Sequence, residues 1–176
     1  MSLLARLELA GFGVGDRWQD LADHLAPRTG DQVLPFLDLQ YLLGLARAGR
    51  PEADTLLANM KSHAADAAPS QREVWRDVCL PAADGLLAWA RGDHASVVRG
   101  LGQALPRLLE IGGSHAQRDL FSQIHLDALV RSGHLGGAQN LLQQQIRSQP
   151  ESRRLRRQGA QLYAALGLSH AADRLL

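Results

Sequence analysis

The stretch LPFLDLQYLLGLARAGRPEA, residues 34–53, contains the pattern that decides the fold. Its apolar side chains repeat at the i, i+3, i+4 spacing of one helix face: Leu34, Leu37, Tyr41, Leu45 and Ala48. The pattern stops at Gly49, and glycine readily takes the left-handed conformation that closes a helix. Pro51 then suits the first turn of a second helix. The stretch therefore predicts two helices joined by a tight turn.

The same kind of turn is indicated at three later glycines. Gly92, Gly133 and Gly167 each end a helical pattern, and an alanine follows within a few residues, where it allows paired helices to approach closely. Counted from Gly49, the turn glycines are 43, 41 and 34 residues apart. A helix–turn–helix unit that recurs every ~34 to 45 residues is typical of a helical solenoid. We therefore predict an all-α fold, a right-handed α-solenoid of degenerate tetratricopeptide-like helix pairs.

The helical pattern runs along the whole chain. We predict a single helical repeat domain over 1–176, in which the loop 27–33 separates an N-terminal helical pair (1–26) from the repeat body (34–176). Pro81 and Pro106 lie inside two predicted helices and should bend or break them, because proline lacks the backbone donor. The predicted helices are 2–10, 16–26, 34–48, 51–67, 70–91, 93–110, 114–132, 135–147, 152–166 and 168–175.

Composition agrees with this fold class and excludes others. The chain has 33 Leu and 26 Ala against 12 β-branched residues, which disfavours sandwiches, barrels and parallel sheets. A 45% hydrophobic content with a net charge of +1 excludes intrinsic disorder. The near-neutral charge also disfavours nucleic acid as the main partner, because phosphate binding needs a basic face.

Cysteine content and hydropathy bear on the compartment. Cys79 is the single cysteine, so an internal disulfide is excluded and a reducing compartment fits. No apolar run is long enough to span a membrane, and Glu8 stands where a signal peptide needs an apolar core. We therefore predict a cytoplasmic protein without a membrane-spanning segment.

The most distinctive string is GGSHAQRDLF, residues 112–121. Gly112 should end one helix, while Ser114 caps the next and Gln117 bonds back to it in a capping box. The neighbouring His115, Arg118 and Asp119 can share one side of that helix. Three alternatives remain open for them: a structural network in which Asp119 or Asp38 holds Arg118, contact with a partner, or an enzymatic or small-ligand pocket.

Other residues that could carry chemistry give weaker signals. Cys79 lies in the apolar string VCLP, where a thiol is usually buried, inert and raised in pKa. The seven histidines include no i, i+4 pair of the kind that binds zinc on a helix. Trp75 and Trp89 are expected to pack between helices. We therefore predict no catalytic residue, no metal and no cofactor.

The run RRLRR, residues 153–157, is the most basic part of the chain. Arg153, Arg156 and Arg157 fall opposite the apolar stripe of Leu155, Gly159 and Leu162 on a helical wheel. A solvated outer face is the favoured interpretation. An acidic partner or an RNA backbone is the alternative, although no aromatic residue interleaves with the run as RNA binding would favour.

Four segments resemble the C-terminal portion of the tetratricopeptide repeat protein 38 family: GVGDRWQDLADH (13–24), LPFLDLQYLLGLARAG (34–49), WRDVCLPAADGL (75–86) and GGSHAQRDLF (112–121). The resemblance implies a superhelix of degenerate helix pairs without established enzymatic activity. It also implies a longer protein with further repeats before Arg6. No unit here contains the full Trp, Leu-Gly and Tyr series of common tetratricopeptide repeats. The family's recurrent positions correspond to Asp38, Asp77, Pro81, Gly112, Gly113, Ser114, Gln117, Arg118 and Asp119.

Together these observations predict a non-enzymatic scaffold that binds a protein or peptide on its concave face. The first helix of each pair usually lines that face in solenoids. The candidate partner-binding residues are Asp38, Tyr41, Asp77, His115, Arg118 and Asp119. A third alternative is a structural solenoid cap that self-associates as a homodimer, because the N-terminal helix would expose an apolar set: Leu3, Leu4, Leu7 and Leu9.

Overall fold

In the computed structural model, which describes residues 1–175, the chain is all-helical, and this part of it contains no strand. Every predicted helix is present, with ends that differ from the predicted ones by a few residues. The α-helices are α1 Ser2–Leu9, α2 Arg17–Leu25, α3 Pro35–Arg47, α4 Glu52–Asp66, α5 Pro69–Val74, α6 Leu80–Ala90, α7 His94–Ala104, α8 His115–Arg131, α9 Leu135–Ser148, α10 Arg153–Ala165 and α11 Ser169–Asp173. None of these helices is both long enough and apolar enough to cross a membrane.

The two internal prolines were expected to bend or break their helices, and the structure interrupts the α-helix at both by a change of helix type. Before Pro81 a π-helical turn, Trp75–Cys79, joins α5 to α6. At Pro106, α7 gives way to a 3-10 segment, Leu105–Ile111. A proline nitrogen has no hydrogen to donate to the carbonyl four residues earlier, so the regular bonding of an α-helix is interrupted at both places.

The predicted glycine turns share one geometry, and a fifth turn at Gly11 joins them. In each turn the glycine N–H donates to the carbonyl three residues earlier, and the next residue donates to the carbonyl five residues earlier. The φ angles of the five glycines lie between 66° and 85°. This is the Schellman closure, which favours glycine because its φ is positive. The turns are at Gly11, Gly49, Gly92, Gly133 and Gly167.

The chain divides into two compact units, Met1–His125 and Leu126–Leu176. The division falls within α8, whereas the sequence placed its breakpoint in the loop 27–33. In the first unit α2 packs on α3, so the N-terminal pair and the following helices share a core.

Helices α6 and α7 pack most closely where two glycines meet. A methyl group on Gly100 would lie 2.6 Å from the carbonyl oxygen of Pro81 and 2.8 Å from the backbone nitrogen of Gly85. The two backbones therefore touch without an intervening side chain. Val97, Leu101 and Ala104 line the buried face of α7 beside this contact.

The apolar stripe that first identified α3 is buried only at its C-terminal end. Leu34 and Leu37 are 37% and 38% exposed, and Tyr41 is partly exposed. Leu45 and Ala48 of the stripe are buried, and the other fully buried leucines of α3 lie outside the stripe: Leu39, Leu42 and Leu43. Because both sets are apolar, periodicity alone could not tell which one faced the core.

The second unit is built on α9, α10 and α11. Leu155, Gly159 and Leu162 form the buried side of α10, as the sequence predicted. Gly159 has no side chain, which leaves room for Leu175 and Ile146 against the helix backbone.

Candidate functional site

The loop Gly112–Gly113 has the local structure that its sequence predicts. Both glycines have positive φ, 89° and 75°, and they separate the 3-10 segment from α8. The capping box is present: Ser114 N–H donates to Gln117 Oε1 at 2.7 Å, and Gln117 N–H donates to Ser114 Oγ at 3.3 Å. The start of α8 is therefore fixed by its own side chains.

The loop also packs tightly on the start of α3. A methyl group on Gly112 would lie 3.3 Å from Leu34, and one on Gly113 would lie 2.8 Å from the Phe36 ring. Glycine is thus required at 113 both for its φ and for space. Arg6 of α1 donates to the carbonyl of Ala116, so α1 holds the same region from another direction.

Arg118 holds this loop through backbone carbonyls. Its Nη1 donates to Gly112 O at 3.0 Å and also to Gly113 O. The structure does not show the alternative in which Asp119 or Asp38 holds Arg118, since the side-chain hydrogen bonds of Arg118 go to these carbonyls. Asp119 instead accepts a hydrogen bond from Gln123 Nε2. Arg118 therefore holds the Gly112–Gly113 loop in place, and we call this pair of hydrogen bonds the clasp.

We expect Arg118→Ala to lower the free energy of unfolding by about 2 kcal/mol, because two hydrogen bonds from a charged donor are lost. Urea denaturation measures the change. The control is Arg99→Ala, which removes an exposed arginine whose guanidinium contacts Ser96 within the same helix, and it should cost less than about 0.5 kcal/mol. Equal stability of the two variants would contradict the clasp.

Asp38 does not belong to an exposed surface. It is 0% exposed, and neither of its carboxylate oxygens has a hydrogen-bond partner among the described residues. Its proposed contact with a partner is therefore wrong for this conformation. Gln40, which sequence reasoning missed, is also buried; its Oε1 accepts from Ser2 Oγ at 3.0 Å, while its Nε2 has no partner in residues 1–175.

The burial of Asp38 changes its acidity and that of a neighbour. Loss of solvation, with a smaller effect from the charge of Asp31, raises the pKa of Asp38 to about 7. Burial, and then the Asp38 charge, raises the pKa of the Cys79 thiol well above its ordinary value. Cys79 Sγ lies 3.9 Å from the carbonyl oxygen of Pro35, in the same turn of α3 as Asp38. The prediction of a buried thiol with a raised pKa is confirmed.

Asp77 lies in a surface cluster of charges on the π-helical turn. Arg76 binds it with two hydrogen bonds of 2.6 and 2.7 Å, and this contact lowers the pKa of Asp77. Arg107 reaches Asp77 at 4.0 Å and pairs with Glu110 at 2.7 Å and Glu73 at 2.9 Å. The cluster thus connects Asp77 to the 3-10 segment that leads into the loop.

An apolar patch lies beside the loop, and sequence reasoning missed it. It consists of Val33 (78% exposed), Leu34, Leu37 and Leu109 (73% exposed). Leu34 packs against Gly112, whose N–H donates to the carbonyl of Leu109, so the backbones that carry Leu34 and Leu109 both adjoin the loop. The one signal for the patch in the sequence was at the start of α3, where apolar residues occupy more positions than one buried helix face needs.

The remaining candidates lie around the patch or near the loop. Tyr41 continues the exposed side of α3 beyond Leu37, and the Arg28 guanidinium lies 5.9 Å from its ring centre. His115 is exposed at the first position of α8. The structure therefore places Tyr41, Asp77 and His115 on the surface of the first unit, and Asp38 in its core.

The N-terminal helix exposes less apolar surface than expected. Leu3 is 70% exposed, but Leu4 is 9% exposed and packs inside, while Leu7 and Leu9 are partly covered. One leucine of the four is thus strongly exposed.

Comparisons with known proteins give no assignment: no family model and no solved structure matches the chain. Within residues 1–175, no cluster of three or more His, Cys, Asp and Glu side chains could hold a metal ion.

Proposed function

We propose that this chain is a non-enzymatic scaffold, a right-handed α-solenoid of tetratricopeptide-like helix pairs, that binds a protein or peptide partner. The five identical glycine turns support the repeat, because each joins one helix to the next: α1 to α2, α3 to α4, α6 to α7, α8 to α9 and α10 to α11. Helical-repeat proteins commonly bind partners on the extended surface that their stacked helix pairs form.

The observation that carries the binding role is the apolar patch of Val33, Leu34, Leu37 and Leu109. Val33 and Leu109 are strongly exposed and Leu34 and Leu37 partly exposed, and exposed large apolar side chains in one region mark interaction sites more often than scattered ones do. The backbone next to the patch is rigid, because Arg118 and the capping box hold the Gly112–Gly113 loop in place. A rigid surface loses little conformational entropy on binding, which favours affinity.

Polar groups near the patch can fix the orientation of a bound segment. Tyr41 can donate or accept a hydrogen bond on α3, and Arg107, which reaches Asp77, lies on the same 3-10 segment as Leu109. His115 begins α8 after the loop, and Asp119 lies one turn further along the same helix. The partner that fits is a segment with apolar side chains at its centre and polar groups at its ends. Asp38 takes no part, and Arg118 acts by holding the loop.

The experiment is a selection of random displayed peptides on the full chain, followed by titration of the enriched peptides by fluorescence anisotropy. We expect Leu37→Asp/Leu109→Asp to weaken binding at least about tenfold, because each change places a charge against apolar partner groups. The control is Val130→Asp/Leu168→Asp, at positions 43% and 46% exposed in the second unit, which should leave affinity within about twofold.

Both double variants must first give the circular dichroism and urea midpoint of a folded chain. Failure to enrich any peptide would contradict the proposed function. Equal weakening by the patch variant and the control variant would show that the patch is not the binding surface.

A further inference from the structure

Charge is divided unevenly between the two units. Residues 126–176 contain seven arginines and three acidic residues, whereas residues 1–125 contain twelve basic and fifteen acidic residues. The net charge of +1 therefore conceals a basic second unit. The basic groups are concentrated on α10, whose first five residues are RRLRR.

Two arginines of α10 expose their guanidinium groups to solvent without an acidic partner among residues 1–175. Arg153 and Arg157 are exposed, and neither has a hydrogen-bond or ion-pair partner among residues 1–175. They lie four residues apart and so occupy one face of the helix, where like charges repel. By contrast, Arg156 donates to the carbonyl of Leu175 at 3.0 Å and is committed within the unit. An anion on this face would relieve the repulsion between Arg153 and Arg157.

A groove continues the same face. It has a volume of about 420 Å³ and lies between α10 and α11. Arg157 and Gln161 line it from α10, and Ser169 and Asp173 line it from α11. Three alanines supply the apolar part of the lining: Ala160, Ala164 and Ala172. From Arg153 to Gln161 the face is about 12 Å long, which suits a few residues of extended chain.

The chemistry of this surface favours carboxylates on a polypeptide over a nucleic acid. Tyr163 is the one aromatic residue in 126–176, and its hydroxyl accepts from Gln143 Nε2 at 3.0 Å inside the unit. Residues 126–175 therefore present no Phe or Trp ring for bases to stack upon. The alanine lining accepts small apolar side chains, and Arg guanidinium groups bind carboxylates with two parallel hydrogen bonds.

We propose that the exposed face of α10, formed by Arg153, Arg157 and Gln161 with the adjoining groove, is a second docking surface that binds an acidic protein segment. The arginines bind carboxylates of the segment, Gln161 bonds its backbone, and its small side chains enter the alanine-lined groove. This surface lies wholly in the second unit and is independent of the apolar patch in the first.

The test uses three fluorescent probes on the full chain: a peptide of alternating glutamate and alanine, its glutamine counterpart, and an oligothymidylate of equal charge. We expect the glutamate peptide to bind, to weaken as salt is raised, and to lose at least about tenfold in affinity with Arg153→Glu/Arg157→Glu. The glutamine peptide should bind at least about tenfold more weakly than the glutamate peptide.

The control Lys61→Glu/Arg99→Glu makes the same change of net charge on exposed residues of the first unit and should alter affinity less than about twofold. Absence of glutamate-peptide binding would overturn the proposal, as would equal weakening by both double variants. Tighter binding of the oligothymidylate through the same arginines would assign the surface to nucleic acid and would also overturn it.

Discussion

Gly100→Ala is expected to lower the free energy of unfolding by about 2 to 3 kcal/mol, although alanine is the better helix former. The added methyl group would lie 2.6 Å from the Pro81 carbonyl oxygen and 2.8 Å from Gly85 nitrogen. Both atoms belong to the backbone of α6, so no side chain can rotate away. The two helices must move apart, which loosens the packing around Leu101. Urea denaturation followed by circular dichroism measures the loss.

Gly102→Ala provides a matched control in the same helix. Gly102 is exposed, and a methyl group there would lie 3.4 Å from the His125 side chain, an ordinary contact distance. Here the helix propensity of alanine should prevail and raise stability by about 0.5 to 1 kcal/mol. If Gly100→Ala were as stable as Gly102→Ala, the close approach of α6 and α7 would be wrong.

Asp38→Asn is expected to change how stability depends on pH. The folded state holds the Asp38 proton with a pKa near 7, against 3.8 for an ordinary aspartate. Between these values the folded state binds more protons at Asp38 than the unfolded state, so the contribution of this group to stability is greatest at low pH and falls as pH rises. Between pH 5 and 8 the titration of this one group should lower the free energy of unfolding of the wild-type protein by about 2 to 3 kcal/mol. Asp38→Asn should not show this decrease in the free energy of unfolding.

The measurement is the difference in free energy of unfolding between variant and wild type at several pH values. Burial lowers the pKa of His125, which gives a slope of opposite sign, but both proteins share it. Asp66→Asn, which removes an exposed carboxyl, should run parallel to wild type. Parallel curves for Asp38→Asn and wild type would contradict a buried, unpartnered carboxyl at this position.

Local chemistry explains what the sequence could predict. A glycine that closes a helix leaves its mark in a few consecutive residues, and the Ser114–Gln117 capping box spans one turn. Both were therefore predicted correctly. The turn at Gly11 was missed because further glycines follow it, at 13 and 15, and α2 begins at Arg17.

Tertiary contacts explain what the sequence could not predict. Arg118 was expected to seek a carboxylate, but the loop places two carbonyl oxygens closer to it. Asp38 was expected on a surface, but the apolar residues of α3 outnumber those of one face, and the buried side of the helix includes the aspartate. A stronger signal was available at Gly85 and Gly100, because glycine within a helix is unfavourable unless packing requires it.

The central claim is that the chain binds a partner through the apolar patch beside the loop. Amide hydrogen exchange of the full chain, with and without a selected peptide, tests it most directly, because exchange slows where a bound segment covers or stiffens the backbone. The account predicts slowed exchange in 33–41 and 109–118 when the peptide is bound. Slowed exchange elsewhere with no change in these two segments would contradict it.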